Sequence, residues 1–118
     1  MSLFLRKKSY IDWMLKTEEG DTRGFSYDDL LKTMKQVVQG KHEFLIVESL
    51  KNGAYMQAAG NDGRVHLEIR VDKANGGFLL FGKDGYAIKE AVDILDAFML
   101  GKAMPDLNDG WYVVFEGE

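Results

Sequence analysis

Three Asx-Gly pairs, Asn52-Gly53, Asp62-Gly63 and Asn75-Gly76, fall within 25 residues, each between runs that alternate apolar and polar side chains. Asx-Gly tolerates consecutive left-handed residues, the backbone that a tight hairpin requires. Alternation at a period of two belongs to strands with one buried face. Together these signals predict four short strands, over 43–50, 54–60, 64–72 and 77–82, joined as an antiparallel meander.

Such a sheet must bury one face, and its flanks read as helical. The second of two candidate helices is the clearer. Ser26 is placed to cap it, Asp29 completes a capping box, and Phe25 can staple onto Leu30. Leu30, Leu31, Met34, Val37 and Val38 form its apolar stripe, and Gly40 suits the position just past its end. Ahead of it, Ser9 with Asp12 reads as another capping box. Tyr10, Ile11, Met14 and Leu15 then line one helical side, Trp13 lies off it, and 18–24 is a polar loop. Leu3-Phe4-Leu5 fits either a helix or a short strand. Residues 85–100 return to helical spacing, with Ile88, Ala91, Ile94, Leu95 and Phe98 inward and Gly101 and Pro105 as stops. Trp111 to Phe115 reads as a last strand. The expected architecture is a single α+β domain over 1–118, in the order α-α-β-β-β-β-α-β, with helices packed on one face of the sheet.

At 118 residues, 46% hydrophobic and 29% charged, the composition is that of a soluble domain able to bury its own core. No cysteine is present and only two histidines, which removes thiol nucleophiles, thiolate metal sites and multi-histidine centres. Apolar runs stop at about four residues, far short of a membrane span. At the start of the chain the charges follow the apolar residues, the wrong order for a signal peptide, so the cytoplasm is expected. Net charge is −4, and residues 61–118 hold eleven acidic against six basic groups, which accounts for the excess. No basic stripe suits a nucleic acid.

If each turn holds two residues, the register follows by counting. Glu48 then faces Gln57, Gln57 faces Glu68, and Tyr55 faces Arg70. Leu45, Val47, Met56, Ala58, Leu67, Ile69 and Val71 take the buried side. The other side carries Glu48, Tyr55, Gln57, His66, Glu68 and Arg70, with Glu48–Gln57–Glu68 as a row across three strands. Its carboxylates would lie about 10 Å apart at the spacing of neighbouring strands, near the separation in inverting glycoside hydrolases. An open sheet face would nevertheless leave both acids wet and little tuned.

Other catalytic templates fail. Two of the four serines read as helix caps, Ser2 is terminal, and none sits in a Gly-x-Ser-x-Gly elbow. Gly82-Lys-Asp-Gly85 is too short for a phosphate loop or a dinucleotide fingerprint. His42 and His66 lack metal-ligand spacing. Asp106-Leu-Asn-Asp-Gly110 has its glycine one position early for a calcium loop. No catalytic residue, metal or cofactor is expected.

Tyr55-Met-Gln57-Ala-Ala-Gly60, the Asp62-Gly63 turn and His66-Leu-Glu68-Ile-Arg70 form a pattern that continues through Lys89-Glu-Ala91, Phe98-Met-Leu-Gly-Lys102 and Trp111. Over about residues 43–115 this resembles the small α+β immunity proteins of bacterial polymorphic-toxin systems, those paired with deaminase-type toxins. Gln57, Glu68 and Trp111 match best. The resemblance implies a non-enzymatic cytoplasmic inhibitor that binds a cognate toxin and blocks its active site. The acid excess suits a basic toxin. Glu90, Asp93 and Asp96 recur on the third helix and are expected to form an outward acidic strip that joins Glu48, Tyr55, Gln57, His66, Glu68, Arg70 and Trp111 in binding that partner. The rival expectation is a small hydrolase or ligand-binding domain using the Glu48/Gln57/Glu68 face.

Overall fold

A computed structural model describes residues 9–118. Leu3-Phe4-Leu5 and the basic Arg6-Lys7-Lys8 lie outside the described residues. The elements run β1 (Trp13–Thr17), β2 (Gly20–Arg23), α1 (Tyr27–Val38), β3 (Leu45–Ser49), β4 (Tyr55–Asn61), β5 (Arg64–Asp72), β6 (Phe78–Tyr86), α2 (Ile88–Leu100) and β7 (Tyr112–Gly117). They build one seven-stranded sheet, ordered β2-β1-β3-β4-β5-β6-β7, with every neighbouring pair antiparallel. Both helices pack on the same face, chiefly over β3 to β5.

The α+β class, the meander and the helices on one side agree with the expectation; the order of elements does not. Residues 9–17, expected to be helical, instead lead into the first strand of an antiparallel hairpin, β1–β2, whose second strand lies in the expected loop. Their apolar side chains fit either period. What decides between them is the free edge of β3, which β1 covers with Leu15 opposite Val47 and Trp13 opposite Ser49. Ser9 caps nothing here and bridges to Ser26. Leu15 and Trp13 then point to the helix face, where Trp13 meets the Phe98 ring edge-on at 5.4 Å.

The turns account for the register. Asp62 and Gly63 both have positive φ, 53° and 76°, the pairing of a two-residue hairpin, and Gln57 faces Glu68 as counted. Asn52 does not share this geometry. Ser49 Oγ accepts from the Lys51 and Asn52 amides at 3.1 and 3.3 Å, and Ser49 N–H donates to Ala54 O at 2.8 Å. The loop therefore holds four residues, 50–53. Glu48 faces Tyr55 rather than Gln57, whose partner is Ile46. The row is Ile46–Gln57–Glu68, and the Glu48–Gln57–Glu68 row does not form.

In α1 the capping box is present: Asp29 N–H donates to Ser26 Oγ at 3.1 Å and Ser26 N–H to the Asp29 carboxylate at 2.9 Å. Phe25, Leu30, Met34 and Val37 are buried. The helix approaches β4 closely at Gly60, where a Cβ would lie 2.9 Å from Val37 O. In α2 the buried side is Ala91, Val92, Leu95, Asp96 and Met99, rotated from the expected stripe, with Ile88, Ile94 and Phe98 half-buried. Gly101, at φ 69°, ends it. No helix among the described residues is long and apolar enough to cross a membrane.

Candidate functional site

The face opposite the helices collects polar side chains from six strands, because alternation sends the partners of each buried residue there. At the β1–β3 end Lys16 Nζ contacts Glu48 Oε1 at 2.7 Å. Toward β7 the groups join into one network. Gln57 Nε2 donates to Glu68 Oε1 at 2.6 Å, and Glu68 Oε2 lies 2.8 Å from His66 Nε2. His66 Nδ1 lies 2.8 Å from Asp84 Oδ1. Asp84 also accepts from Asn61 Nδ2 at 3.1 Å and from the Tyr112 hydroxyl at 2.9 Å.

His66 is thus held between two carboxylates. A neutral imidazole donates through one nitrogen only, whereas an imidazolium donates to both acids. Either form leaves no ring nitrogen turned to an incoming substrate unless a carboxylate moves. The three donors, Asn61 first, then Tyr112 and His66, hold the Asp84 carboxyl below its ordinary range. In return, the hydrogen bond to Asp84 raises the Tyr112 phenol. The His66 and Glu68 side chains are only 18% and 15% exposed, so the platform is firmly seated.

Small residues make room for it. A Cβ at Gly82 would lie 2.6 Å from Val114 Cγ2 and 2.9 Å from His66 Cε1, so the glycine lets both side chains lie across β6. Ala59, opposite His66, leaves a hollow of about 230 Å³ walled by Phe44, Gln57, His66 and Glu68. That is below the roughly 300–1,000 Å³ of small-molecule pockets.

The structure divides the expected binding residues between two faces. Gln57, His66 and Glu68 meet in the network, with Tyr55 and Arg70 alongside. Arg70 bonds Asp72 at 2.9 Å and lies 3.9 Å over the Phe78 ring. Glu48 sits apart with Lys16. The α2 acids lie on the helix side and do not form a free strip. Glu90 accepts from Ala87 N–H at 2.8 Å, which satisfies the helix start, and Asp93 pairs with Lys89 and Tyr27. Asp96 is buried, 6% exposed, bound by Tyr10 and 3.6 Å from Lys102. Trp111 is buried at 8%, against Tyr86. Neither Asp96 nor Trp111 can meet a partner from these positions. Conversely, Asn61, Asp84 and Tyr112 belong to the network and were not singled out. Asp84 lies beyond 82, the expected end of its strand, and just ahead of the helical spacing expected from 85, whereas β6 runs on to Tyr86.

Away from this face, Glu18, Glu19 and His42 bring donor atoms within 4.8 Å of one another. His42 Nδ1 is 2.9 Å from Glu18, and that hydrogen bond lowers the Glu18 carboxyl. The histidine's lone pair or proton is engaged with an acid, and nothing else there points to an ion.

No family model, curated protein or solved structure matches the chain.

Proposed function

We propose that this protein is a binding module of the immunity type, which neutralises a cognate bacterial toxin in the cytoplasm and performs no catalysis itself. The observation that carries the reading is the Gln57–Glu68–His66–Asp84–Tyr112 network, a pre-oriented polar platform on a sheet face that no other described element covers. Fixed donors and acceptors of this kind recognise a partner's polar groups without the cost of ordering them on contact. Tyr112, 47% exposed at the edge of the platform, adds the aromatic area on which interface hot spots commonly rest.

The resemblance in the sequence narrows the partner to a toxin, and the acid excess favours a basic one. The surface is the open face, with Tyr55, Gln57, His66, Glu68 and Arg70 from the sequence reading and Tyr112 added. A hydrolase built on Glu48 and Glu68 is the weaker reading, since the two acids occupy different rows and Glu48 is bound to Lys16.

Calorimetric titration with the C-terminal domain of whatever large secreted protein a neighbouring gene encodes tests this, and the lack of such a gene counts against the reading. Tyr112→Ala and His66→Ala should each weaken binding about tenfold or more, with circular dichroism unchanged. Wild-type affinity in both variants, or no binding by the wild type, would sink the reading.

A further inference from the structure

The sheet's two edges are unlike. The β2 edge, Gly20–Arg23, is short, polar and exposed at every position, one of the ways in which proteins discourage strand pairing. The β7 edge presents Tyr112, Val113, Val114 and Phe115 at 47%, 51%, 43% and 53% exposure, with no charge among them. Among the described residues, strand β7 therefore offers unpaired backbone groups flanked by apolar side chains, the condition under which a further strand adds to a sheet.

We infer that β7 pairs antiparallel with β7 of a second copy of this chain, continuing the sheet across a two-fold axis. Self-complementarity favours this occupant. The register shift between β6 and β7 places Tyr112 opposite Gly82 and Phe115 opposite Leu80, so both rings lie on the open face although they are three residues apart. An antiparallel two-fold then sets each Tyr112 toward the second copy's Phe115.

Charge points the same way. The only charged residue of β7 is Glu116, near one end, on the helix side opposite Leu79, where Lys73 of its own chain holds one carboxylate oxygen at 2.5 Å and leaves the other to a neighbour. The two-fold keeps the two Glu116 residues apart and carries each toward the Trp111 end of the other copy. Lys83, also on the helix side, lies there. Its Nζ donates to the carbonyl of Asp109 at 2.9 Å, and no ion pair engages it among the described residues. A parallel pairing would instead set the two acids side by side.

The area is modest. An aromatic side chain can bury about 150–250 Å², and Tyr112 and Phe115 have about half of theirs to give. With the valines and the strand edges, two copies cover on the order of 1,000 Å², close to the lower end of about 1,200–2,000 Å² for stable complexes. The dimer should therefore be reversible, dissociating in the micromolar range.

Sedimentation equilibrium of the purified protein alone, from about 1 µM to about 1 mM, tests this independently of any toxin. The wild type should pass from monomer to dimer. Phe115→Lys and Glu116→Lys should each weaken association at least about tenfold while circular dichroism stays native. Combining Glu116→Lys with Lys83→Glu should restore association. A wild type monomeric throughout, or a dimer unmoved by Phe115→Lys, overturns the inference, and failure of the charge exchange overturns the antiparallel arrangement.

Discussion

The Tyr10 hydroxyl donates a 2.6 Å hydrogen bond to the Asp96 carboxylate, tying the approach to β1 to the middle of α2 across 86 positions of sequence. Both residues are almost fully buried. An acid at this depth is held by its donors, and Tyr10 links the segment that entered as a strand to the helix layer above it.

Tyr10→Phe should therefore destabilise the protein by about 1–3 kcal/mol at neutral pH, because a buried carboxylate loses a donor. Burial, reinforced by Asp96, raises the Tyr10 phenol well above its ordinary value. The folded chain thus keeps a proton that the unfolded chain releases above about pH 10. The associated stability is complete below that value and falls as pH rises past it. Urea titrations between about pH 9 and pH 11 should show a steeper alkaline loss in the wild type than in Tyr10→Phe. Parallel losses would contradict it.

At the acid end the group to watch is Asp84, whose carboxyl is lowered by Asn61, Tyr112 and His66. Its contribution is present above the ordinary aspartate range and disappears as pH falls through the lowered folded value. Asp84→Asn should flatten the stability profile between about pH 5 and pH 2. Equal acid slopes in variant and wild type would show the network to be energetically idle.

Two glycines hold close approaches that a methyl group would disturb. Gly60→Ala should cost about 1–3 kcal/mol, because the clash falls on the backbone oxygen of Val37, which cannot swing aside. Gly82→Ala should displace His66 and Val114, visible as chemical-shift changes in the His66 and Tyr112 rings. A spectrum unchanged at those rings would show that the platform does not depend on the bare backbone of β6.

Leu67→Ala should destabilise by about 2–5 kcal/mol, since Leu67 is fully buried under the helices. Glu68→Ala should cost less, about 1–3 kcal/mol, by stranding Gln57 and His66. Denaturant midpoints for the two variants order them directly, and a larger loss at Glu68 would reverse the assignment of buried and open faces.

Features carried by neighbouring residues were legible in the chain. The box of Ser26 and Asp29, the stops at Gly40 and Gly101, the Asp62-Gly63 hairpin and the inward set from Leu45 to Ile69 each depend on a few adjacent side chains and on backbone preference. From the face assignment, Gln57, His66 and Glu68 could be grouped before any coordinates. The open-face network was only half visible, because Asp84 and Tyr112 reach His66 from strands 18 and 46 positions further along.

Local chemistry by itself determined that this chain would build a helix-backed antiparallel sheet, and which side of each central strand would be buried. Tertiary structure decided the rest. The 13–17 segment suits a helix or a strand equally and became a strand because β3 had an open edge to cover. Two carboxylates that counting had put in one row were separated when the Ser49 hydroxyl stabilised a four-residue loop. Asp96, spaced like a surface acid, was buried because Tyr10 arrived above it. In each case the sequence left two local states near balance, and a contact between distant residues supplied the difference.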